Sequence, residues 1–278
     1  MRIFVIDNVT FNLPNTWNEL SEPQLLHVAE LVGKSIDKHE FLLSMFLHAT
    51  GLKVKQTPNS KHYYLTNGKK EFALNAEQIL QLCNVFSFLL TEQKTDDETT
   101  YTILSRRTKA LTSFELYGET YYAPASSLTN ISLHEYIFSE TYYHHYASTG
   151  KEEYLNLFIA TLYRPQARNY DETQGDKREA FNDFIIEKHA KLISALPAHV
   201  KTSIRWFYEG SSVYIHKKFA SVFQGAPSGT KQDVFEGFMK MVNGLSGNDI
   251  TKNDQVRQSN LYEALLTLDE LMQKSKKQ

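Results

Sequence analysis

The sequence predicts an α+β protein that is mainly helical, in which short β-hairpins precede capped helices. Three observations predict this fold class. Turn signals separate stretches of alternating apolar and polar residues at three places, which is typical of hairpins. Capping boxes, in which Ser, Asp or Asn is followed three residues later by Gln or Glu, precede apolar stretches with helical spacing. Beyond residue 150, only helical patterns occur.

The first hairpin and the first two helices are predicted within residues 1–51. Apolar and polar residues alternate on both sides of Asp7-Asn8, and this pattern predicts a two-stranded hairpin over residues 1–14. Two capping pairs follow it, Ser21 with Gln24 and Asp37 with Glu40. Each pair predicts the start of a helix.

A second hairpin and its helix are predicted over residues 63–90. Asn67-Gly68 is the strongest short-range hairpin signal, and the pair Asn75 and Gln78 predicts a helix that runs to about Leu90. Residues 91–100, "TEQKTDDETT", are polar and lack periodicity. They are therefore expected to form an exposed loop or a linker between domains.

The third hairpin gives the sequence a repeated feature. It turns at Gly118, and a capping box of Ser132 and Glu135 follows. The N-terminal segment has the same order of hairpin, proline, short loop and capping box. We therefore expect a repeated hairpin-helix module.

Further helices are predicted after residue 150. Capping pairs predict two starts, Thr149 with Glu152 and Asp176 with Glu179, and Arg164-Pro165 and Pro197 predict the corresponding ends. Another helix covers "TSIRWFYEGSSVYIHKKF", which Gly210 weakens, and loops are expected at 224–230 and 242–249. A last amphipathic helix has an apolar stripe formed by Leu261, Ala264, Leu265, Leu268, Leu271 and Met272.

These elements group into three predicted parts. Residues 1–92 form an N-terminal hairpin-helix domain, and 101–250 form a helical domain that begins with a hairpin. Residues 251–278 form a C-terminal amphipathic helix that docks on the body. A chain of 278 residues is long enough for one large or two medium domains.

Composition limits the classes of partner and compartment. The 30 Lys and Arg balance 32 Asp and Glu, so the net charge of −2 does not predict a nucleic-acid partner. The N-terminal apolar stretch is too short for a signal peptide, and no stretch is long enough to span a membrane. Cys83, the only cysteine, lies in an apolar run and is expected to be a buried thiol. We expect a protein of the cytoplasm.

Residues 140–149, "ETYYHHYAST", are the strongest candidate for chemistry. Glu140 and His144 are four residues apart, so a helix would place them on one face, as a metal site could use. A zinc site needs at least a third protein ligand, and His134 is about 16 Å from His145 along a helix. Nucleotide-binding and nucleophile motifs are absent. We therefore predict no catalytic residue, no metal and no cofactor.

The aromatic residues of the same segment indicate contacts instead. On a helical wheel, Leu133, Ile137, Phe138, Thr141 and His145 form one stripe, which we interpret as core. The tyrosines on other faces suit partly wet interfaces, within the chain in the favoured interpretation or between subunits. The predicted interaction residues are Tyr136, Tyr142, Tyr143, Tyr146, Arg164 and Trp206.

The loop after the predicted buried helix is a second candidate for chemistry. Charged residues concentrate there, namely Arg164, Arg168, Asp171, Asp176 and Arg178. An acid-base site could be built from such groups. Helix capping and surface positions explain most of them more simply.

The region of residues 113–182 carries a resemblance to a group of proteins. It contains a helix start of the form LT-x-x-S/T-x-x-E-[YF], an aromatic helix, and "LFIATLYRP". In these features the chain resembles proteins without an assigned activity that phages and prophages of Bacteroidetes-type bacteria encode. The opening "VTFNLPNTWNELSEPQLL" fits their N-termini. The resemblance implies a role in phage morphogenesis, in particular in tail assembly, and it implies no catalytic residues.

The function expected from these observations is non-enzymatic. The chain would act by protein-protein contact, as a chaperone-like tail-assembly protein or as a tail component. Its partners would be other phage proteins, with self-association as a further option, in the bacterial cytoplasm or in the virion. Two alternatives stay open: a metal-dependent hydrolase centred on Glu140 and His144, and a phage regulator or inhibitor of a host protein.

Overall fold

The computed structural model confirms a mainly helical α+β fold with small antiparallel sheets. It describes residues 1–34, 36–55, 63–94, 99–173, 175–223 and 234–275. The chain forms two compact units. The first contains residues 1–107 and 198–206, and the second contains residues 108–197 and 207–278.

Hairpins and capped helices build the first unit. Its strands are β1 (Arg2–Ile6), β2 (Val9–Leu13), β3 (Lys53–Lys55), β4 (Tyr63–Thr66), β5 (Glu71–Leu74), β6 (Thr91–Lys94) and β7 (Thr99–Thr102). Its helices are α1 (Glu22–Val32), α2 (Lys38–Thr50) and α3 (Ala76–Cys83). The sheets are β1-β2, β3-β4-β5 and β6-β7, all antiparallel.

Local sequence explains most of these elements. Asp7 and Asn8 have positive φ angles of 45° and 63°, as a two-residue hairpin turn requires. Ser21 and Asn75 each form the predicted capping box, and the Asp37 side chain accepts from two backbone N–H groups at the start of α2. The predicted hairpins and helix starts of this unit are therefore confirmed.

Two details of the first unit differ from the sequence prediction. The helix that begins at Ala76 is α-helical only to Cys83 and continues as a 3-10 helix, Asn84–Leu89. Residues 91–94 form β6 and residues 99–100 begin β7, so the prediction of a loop or linker is wrong for the described part of 91–100. The side chains of these strands are polar, and the strands pair through backbone hydrogen bonds. The sequence therefore lacks the apolar-polar alternation from which a strand is predicted.

The core of the first unit includes a segment from far along the chain. Trp206 is buried and packs edge to face on Trp17, with ring centroids 5.6 Å apart. The backbone carbonyl of Trp206 accepts a hydrogen bond of 3.1 Å from the Ser105 hydroxyl. Cys83 is buried as predicted, and burial raises the pKa of its thiol to about 11. The division of the chain falls after Arg107, later than the linker that the sequence indicated.

The second unit is mainly helical. Its helices are α4 (Leu133–Thr149), α5 (Glu152–Leu162), α6 (Ile186–Ile193), the end of α7 (Ala198–Lys218), α8 (Ala220–Phe223), α9 (Val234–Leu245), α10 (Asn253–Gln258) and α11 (Leu261–Ser275). One small antiparallel sheet has the order β10-β9-β8, formed by β8 (Ser113–Leu116), β9 (Glu119–Tyr122) and β10 (Arg164–Pro165). The third predicted hairpin is β8-β9, with positive φ angles at Tyr117 and Gly118.

Two predicted helix starts in the second unit are wrong. Thr149 stays in the last turn of α4, where its hydroxyl donates to the carbonyl of His145, so Lys151 takes the N-cap position of α5 without a side-chain cap. Asp176 does not cap a helix with Glu179, because its carboxylate binds Arg178. The helical segment begins later, where the Asn182 side chain caps the 3-10 helix Asp183–Ile185 that leads into α6.

The C-terminal elements agree in part with the sequence. Helix α7 continues through Gly210, and α9 extends to Leu245, into the loop predicted at 242–249. The loop predicted at 224–230 lies outside the described residues. The stripe on α11 is buried at Leu261, Ala264 and Leu265, whereas Leu271 is 47% exposed.

Candidate functional site

Helix α4 is the element around which the candidate groups collect. The predicted capping box of Ser132 and Glu135 begins it, and Gly150, with a φ angle of 67°, ends it. Within the second unit it contacts α5, α9, α10 and α11. The expectation of an aromatic helix packed between neighbours of the same chain therefore agrees with the structure. Its two faces differ in chemistry.

The inner face contains a buried carboxylate, Glu140. One oxygen, Oε1, accepts hydrogen bonds from the hydroxyls of Tyr208, at 2.7 Å, and Ser212, at 3.4 Å. The other oxygen, Oε2, lies 3.4 Å from Nε2 of His144, whose side chain is 56% exposed. The spacing of four residues thus brings Glu140 and His144 together as predicted, and α7 supplies the two hydroxyls.

Aromatic rings surround this carboxylate. Tyr208 packs against Phe158 and Tyr143, with centroid distances of 4.7 Å and 5.2 Å. The hydroxyl of Tyr136 lies 3.5 Å from Nε2 of His216. Because Tyr136 and Tyr208 are fully buried, the carboxylate sits in apolar surroundings that strengthen its hydrogen bonds.

The electrostatics favour an ionised Glu140. Burial alone would raise its pKa, but the hydrogen bonds from His144 and Tyr208 outweigh burial and lower it. The same hydrogen bond raises the pKa of His144. Burial raises the pKa of Tyr208 well above its ordinary value, and burial lowers the pKa of His216. Near neutral pH, this arrangement holds a carboxylate whose neighbours stabilise its charge.

The ligands that a metal ion would need do not come together. Within the described ranges, the structure has no group of three or more His, Cys, Asp or Glu side chains that could hold a metal ion. Glu140 and His144 therefore remain a single pair, and the additional neighbours of Glu140 are hydroxyls that donate to it.

A second buried polar group, the Glu135 ion network, joins α4 to the segment after α5. Oε1 of Glu135 accepts from Nη1 of Arg164, at 2.6 Å, and from Nη1 of Arg178, at 3.2 Å. Asp176 binds the other side of the Arg178 guanidinium, at 2.7 Å and 3.0 Å. The other two charged residues of the predicted loop cluster, Arg168 and Asp171, are exposed.

Backbone acceptors complete this network. Arg164 donates to the carbonyls of Thr161 and Glu179, and Arg178 donates to that of Leu162. Burial lowers the pKa of Arg164, while for Arg178 the neighbouring carboxylates outweigh burial and raise the pKa. These contacts fix the chain on both sides of β10. The Glu135 ion network therefore has a structural role.

The outer face of α4 is an aromatic surface. His134, Phe138 and Tyr142 follow each other at intervals of four residues and therefore lie along one side of the helix. Phe181 and Phe235 extend the row, at 5.7 Å and 6.4 Å from Phe138 between ring centroids. We call these five residues the aromatic platform. Four are half-buried and Phe235 is 40% exposed.

Acidic side chains border the aromatic platform. Burial raises the pKa of Tyr142, and the charges of Glu187 and Asp183 raise it further. On the other side, burial lowers the pKa of His134 and the charge of Arg257 lowers it further, whereas the charges of Asp183 and Asp254 act to raise it. We call Asp183, Glu187 and Asp254 the acidic rim. Phe184, directly after Asp183, is 91% exposed.

The predicted interaction residues separate into two groups. Tyr136, Arg164 and Trp206 are buried inside the unit to which each belongs, and Tyr143 is half-buried with its hydroxyl on Glu209. Tyr142 belongs to the aromatic platform, and half-buried Tyr146 is one further step of four residues along α4. His145, predicted as core, is exposed and stacks on Tyr154 with ring centroids 5.0 Å apart.

Sequence reasoning missed several members of these groups. The row of His134, Phe138 and Tyr142 was available as a spacing of four, but the wheel placed Phe138 in a core stripe. Phe181 and Phe235 come from distant segments, so only the tertiary fold brings them to α4. Tyr208 was missed for the same reason, because its hydroxyl donates to Glu140, 68 residues away in the sequence.

No helix among the described residues is long and apolar enough to cross a membrane. Neither the family models nor the curated proteins nor the solved structures with which the chain was compared match it.

Proposed function

We propose that the chain is a non-enzymatic phage morphogenesis protein that acts by contact with other proteins, in tail assembly or as a tail component. The aromatic platform is the observation that carries the contact role. Clustered aromatic side chains that are only half-buried are typical of interfaces, where a large apolar ring meets a partly wet surface. The phage setting comes from the sequence resemblance around "LYRP".

The state of the buried polar groups supports the same proposal. Glu135 and Glu140 are the two buried carboxylates of α4, and donors from the same unit bind both. A carboxylate used in this way stabilises packing between elements of the second unit. The outer face of α4 is therefore the better candidate for contact with another molecule.

Co-expression with the genes that flank its own, followed by affinity purification, tests the proposal. We expect a phage protein to copurify with the wild type and to be reduced in Phe184→Ala, because Phe184 is exposed beside the acidic rim. Ile250→Ala, at an exposed apolar residue in another segment, is the matched control. Recovery of isolated monomer alone would count against the proposal, and recovery of a host protein would favour the regulator alternative.

The hydrolase alternative has its own test. Its supporting observation is the 3.4 Å contact of Glu140 with a half-exposed His144. Elemental analysis of purified protein separates the two functions. A stoichiometric transition metal that is lost in both Glu140→Ala and His144→Ala would replace our proposal with the hydrolase.

A further inference from the structure

We infer that the aromatic platform docks a partner segment in which arginine stands next to an aromatic or large aliphatic side chain. This inference rests on the proposed contact function and specifies the chemistry of the partner. Three features of the described residues carry it: the partly exposed rings, the acidic rim, and an arginine that already packs on one ring.

The rings provide the apolar part of the site. Phe138 is central, because it contacts His134, Tyr142, Phe181 and Phe235 at centroid distances between 5.1 Å and 6.4 Å. These edge and tilted contacts leave parts of the rings exposed. An apolar side chain from a partner can cover those parts and remove them from water.

The acidic rim selects the charge of the partner. Asp183 and Glu187 make no ion pair among the described residues, although both act electrostatically on Tyr142. Asp254 is 91% exposed and its contact with Arg257 is a surface pair within one helix, at 3.2 Å. A basic segment gains attraction at this border, whereas an acidic segment is repelled.

The choice of arginine over lysine follows from the rings. The Arg164 guanidinium lies 5.6 Å from the centroid of Phe181, so a ring of the platform already packs against this group from inside the unit. A guanidinium can stack on an aromatic ring while it binds a carboxylate with two parallel hydrogen bonds. A partner arginine can therefore use a ring and the acidic rim together.

Fluorescence anisotropy with three labelled peptides and the full chain tests the inference. One peptide has arginines on both sides of a phenylalanine, the second replaces phenylalanine with alanine, and the third replaces the arginines with glutamates. We expect the first to bind most tightly, the second more weakly, and the third not detectably. Affinity for the first should fall as salt is raised, because Glu187 and Asp254 of the rim are exposed.

Charge-reversal variants test whether the first peptide binds at the acidic rim. Glu187→Lys should lower the affinity for the first peptide about fivefold or more, since it replaces an attraction at the rim by a repulsion. Glu263→Lys is the matched control, because Glu263 is also an exposed acidic residue in the first turn of a helix of this unit. The affinity of the Glu263→Lys variant for the first peptide should stay at the wild-type value.

Several outcomes would overturn the inference. Equal binding of the three peptides, no binding of the first, or equal effects of the two variants would each do so. Concentration-dependent dimerisation that Glu187→Lys abolishes, without peptide binding, would identify a second copy as the occupant. Peptide binding with these preferences but without a copurifying phage protein would leave the docking chemistry standing and remove the tail-assembly role.

Discussion

At the scale of single residues, Glu140 shows how burial and hydrogen bonding compete. Moving a carboxylate out of water disfavours its charged form, yet Tyr208 and His144 donate to it and reverse the shift of its pKa. A charge held in this way is stable only while its donors stay in place. The cost of losing a donor should therefore exceed the cost of losing a neutral hydrogen bond.

Replacing Tyr208 by phenylalanine tests that difference. Tyr208→Phe removes a hydroxyl that donates to a buried carboxylate, so we expect a loss of about 1.5–3 kcal/mol in the free energy of unfolding. Tyr163→Phe removes an equally buried hydroxyl that donates to the carbonyl of Leu111 at 2.8 Å, and we expect a loss of about 1 kcal/mol. Urea denaturation measures both. Equal losses would contradict an ionised Glu140.

The His144 contact predicts a pH dependence of stability. The raised pKa of His144 means that its contribution is fully present below the usual value of about 6.5 and is lost as pH rises through the raised value. Glu140, with a lowered pKa, is ionised throughout this range. The stability difference between wild type and His144→Gln should therefore be larger at about pH 6 than at about pH 9.

A comparison of variants isolates this effect from His216. Burial lowers the pKa of His216 in wild type and variant alike, and this part cancels in the difference between them. The charge of His144 lowers the pKa of His216 further, so the comparison is repeated in a His216→Gln background, which removes this second part. In a Glu140→Gln background, burial still lowers the pKa of His144 but nothing from Glu140 raises it, so the larger effect of His144→Gln at acidic pH should disappear. A difference that is constant between pH 6 and pH 9 would show that the contact carries no charge.

At the scale of elements, the sequence predicts structure well where the signal is local. Turn residues with positive φ and reciprocal capping boxes identify the hairpins β1-β2 and β8-β9 and the helices α1 and α4 that follow them. A short 3-10 helix precedes each of these helices, Trp17–Glu19 and Ser126–Leu128. The hairpin-helix pattern can be predicted from the sequence because each of its parts depends on residues that are close in sequence.

Prediction fails where a side chain has a distant competitor. Asp176 has the right spacing for a capping box, but Arg178 binds its carboxylate and is itself held by Glu135, 43 residues away. A capping pattern reports only local geometry, so it cannot register a buried arginine that binds the same carboxylate more strongly. Phe181 and Phe235 of the aromatic platform were missed because they, too, meet α4 only in the tertiary fold.

Arg178 should stabilise the segment that follows β10. Arg178→Ala leaves Glu135 with one fewer donor, frees Asp176 and removes the contact with Leu162, so we expect a loss of about 3–5 kcal/mol in stability. Hydrogen exchange should accelerate at the amides of Ala167 and Glu179, which donate to the carbonyls of Lys177 and Pro165.

The neighbouring residue provides the control for this prediction. Lys177 is exposed and packs over Tyr122 and Tyr170, so Lys177→Ala should change stability by less than about 1 kcal/mol. If exchange at Ala167 and Glu179 responds equally to both substitutions, the Glu135 ion network does not hold this segment.

At the scale of the whole molecule, the division of the chain is the feature that the sequence shows least. Residues 198–206 belong to the first unit although about ninety residues of the second unit precede them. The helical pattern of α7 is continuous, so nothing in it marks a change of unit at Trp206. Composition and turn signals mark exposed linkers, and this boundary lies inside a helix.

The sharing of α7 predicts cooperative unfolding. The two tryptophans, Trp17 and Trp206, both belong to the first unit, so tryptophan fluorescence follows that unit, whereas far-UV circular dichroism is dominated by helices of the second. Because one helix supplies residues to both cores, we expect the two signals to change at the same urea concentration. Clearly separated midpoints would show that the halves of α7 unfold independently.

The split composition of the first unit also has a consequence during translation. The ribosome completes residues 1–107 about a hundred residues before Trp206 emerges, and at about 5 to 20 residues per second this delay is on the order of 5 to 20 seconds. Through that time Trp17 lacks the ring that covers it in the finished protein. The nascent chain therefore exposes apolar surface while the second unit is being synthesised, and this is the interval in which it is most open to chaperones.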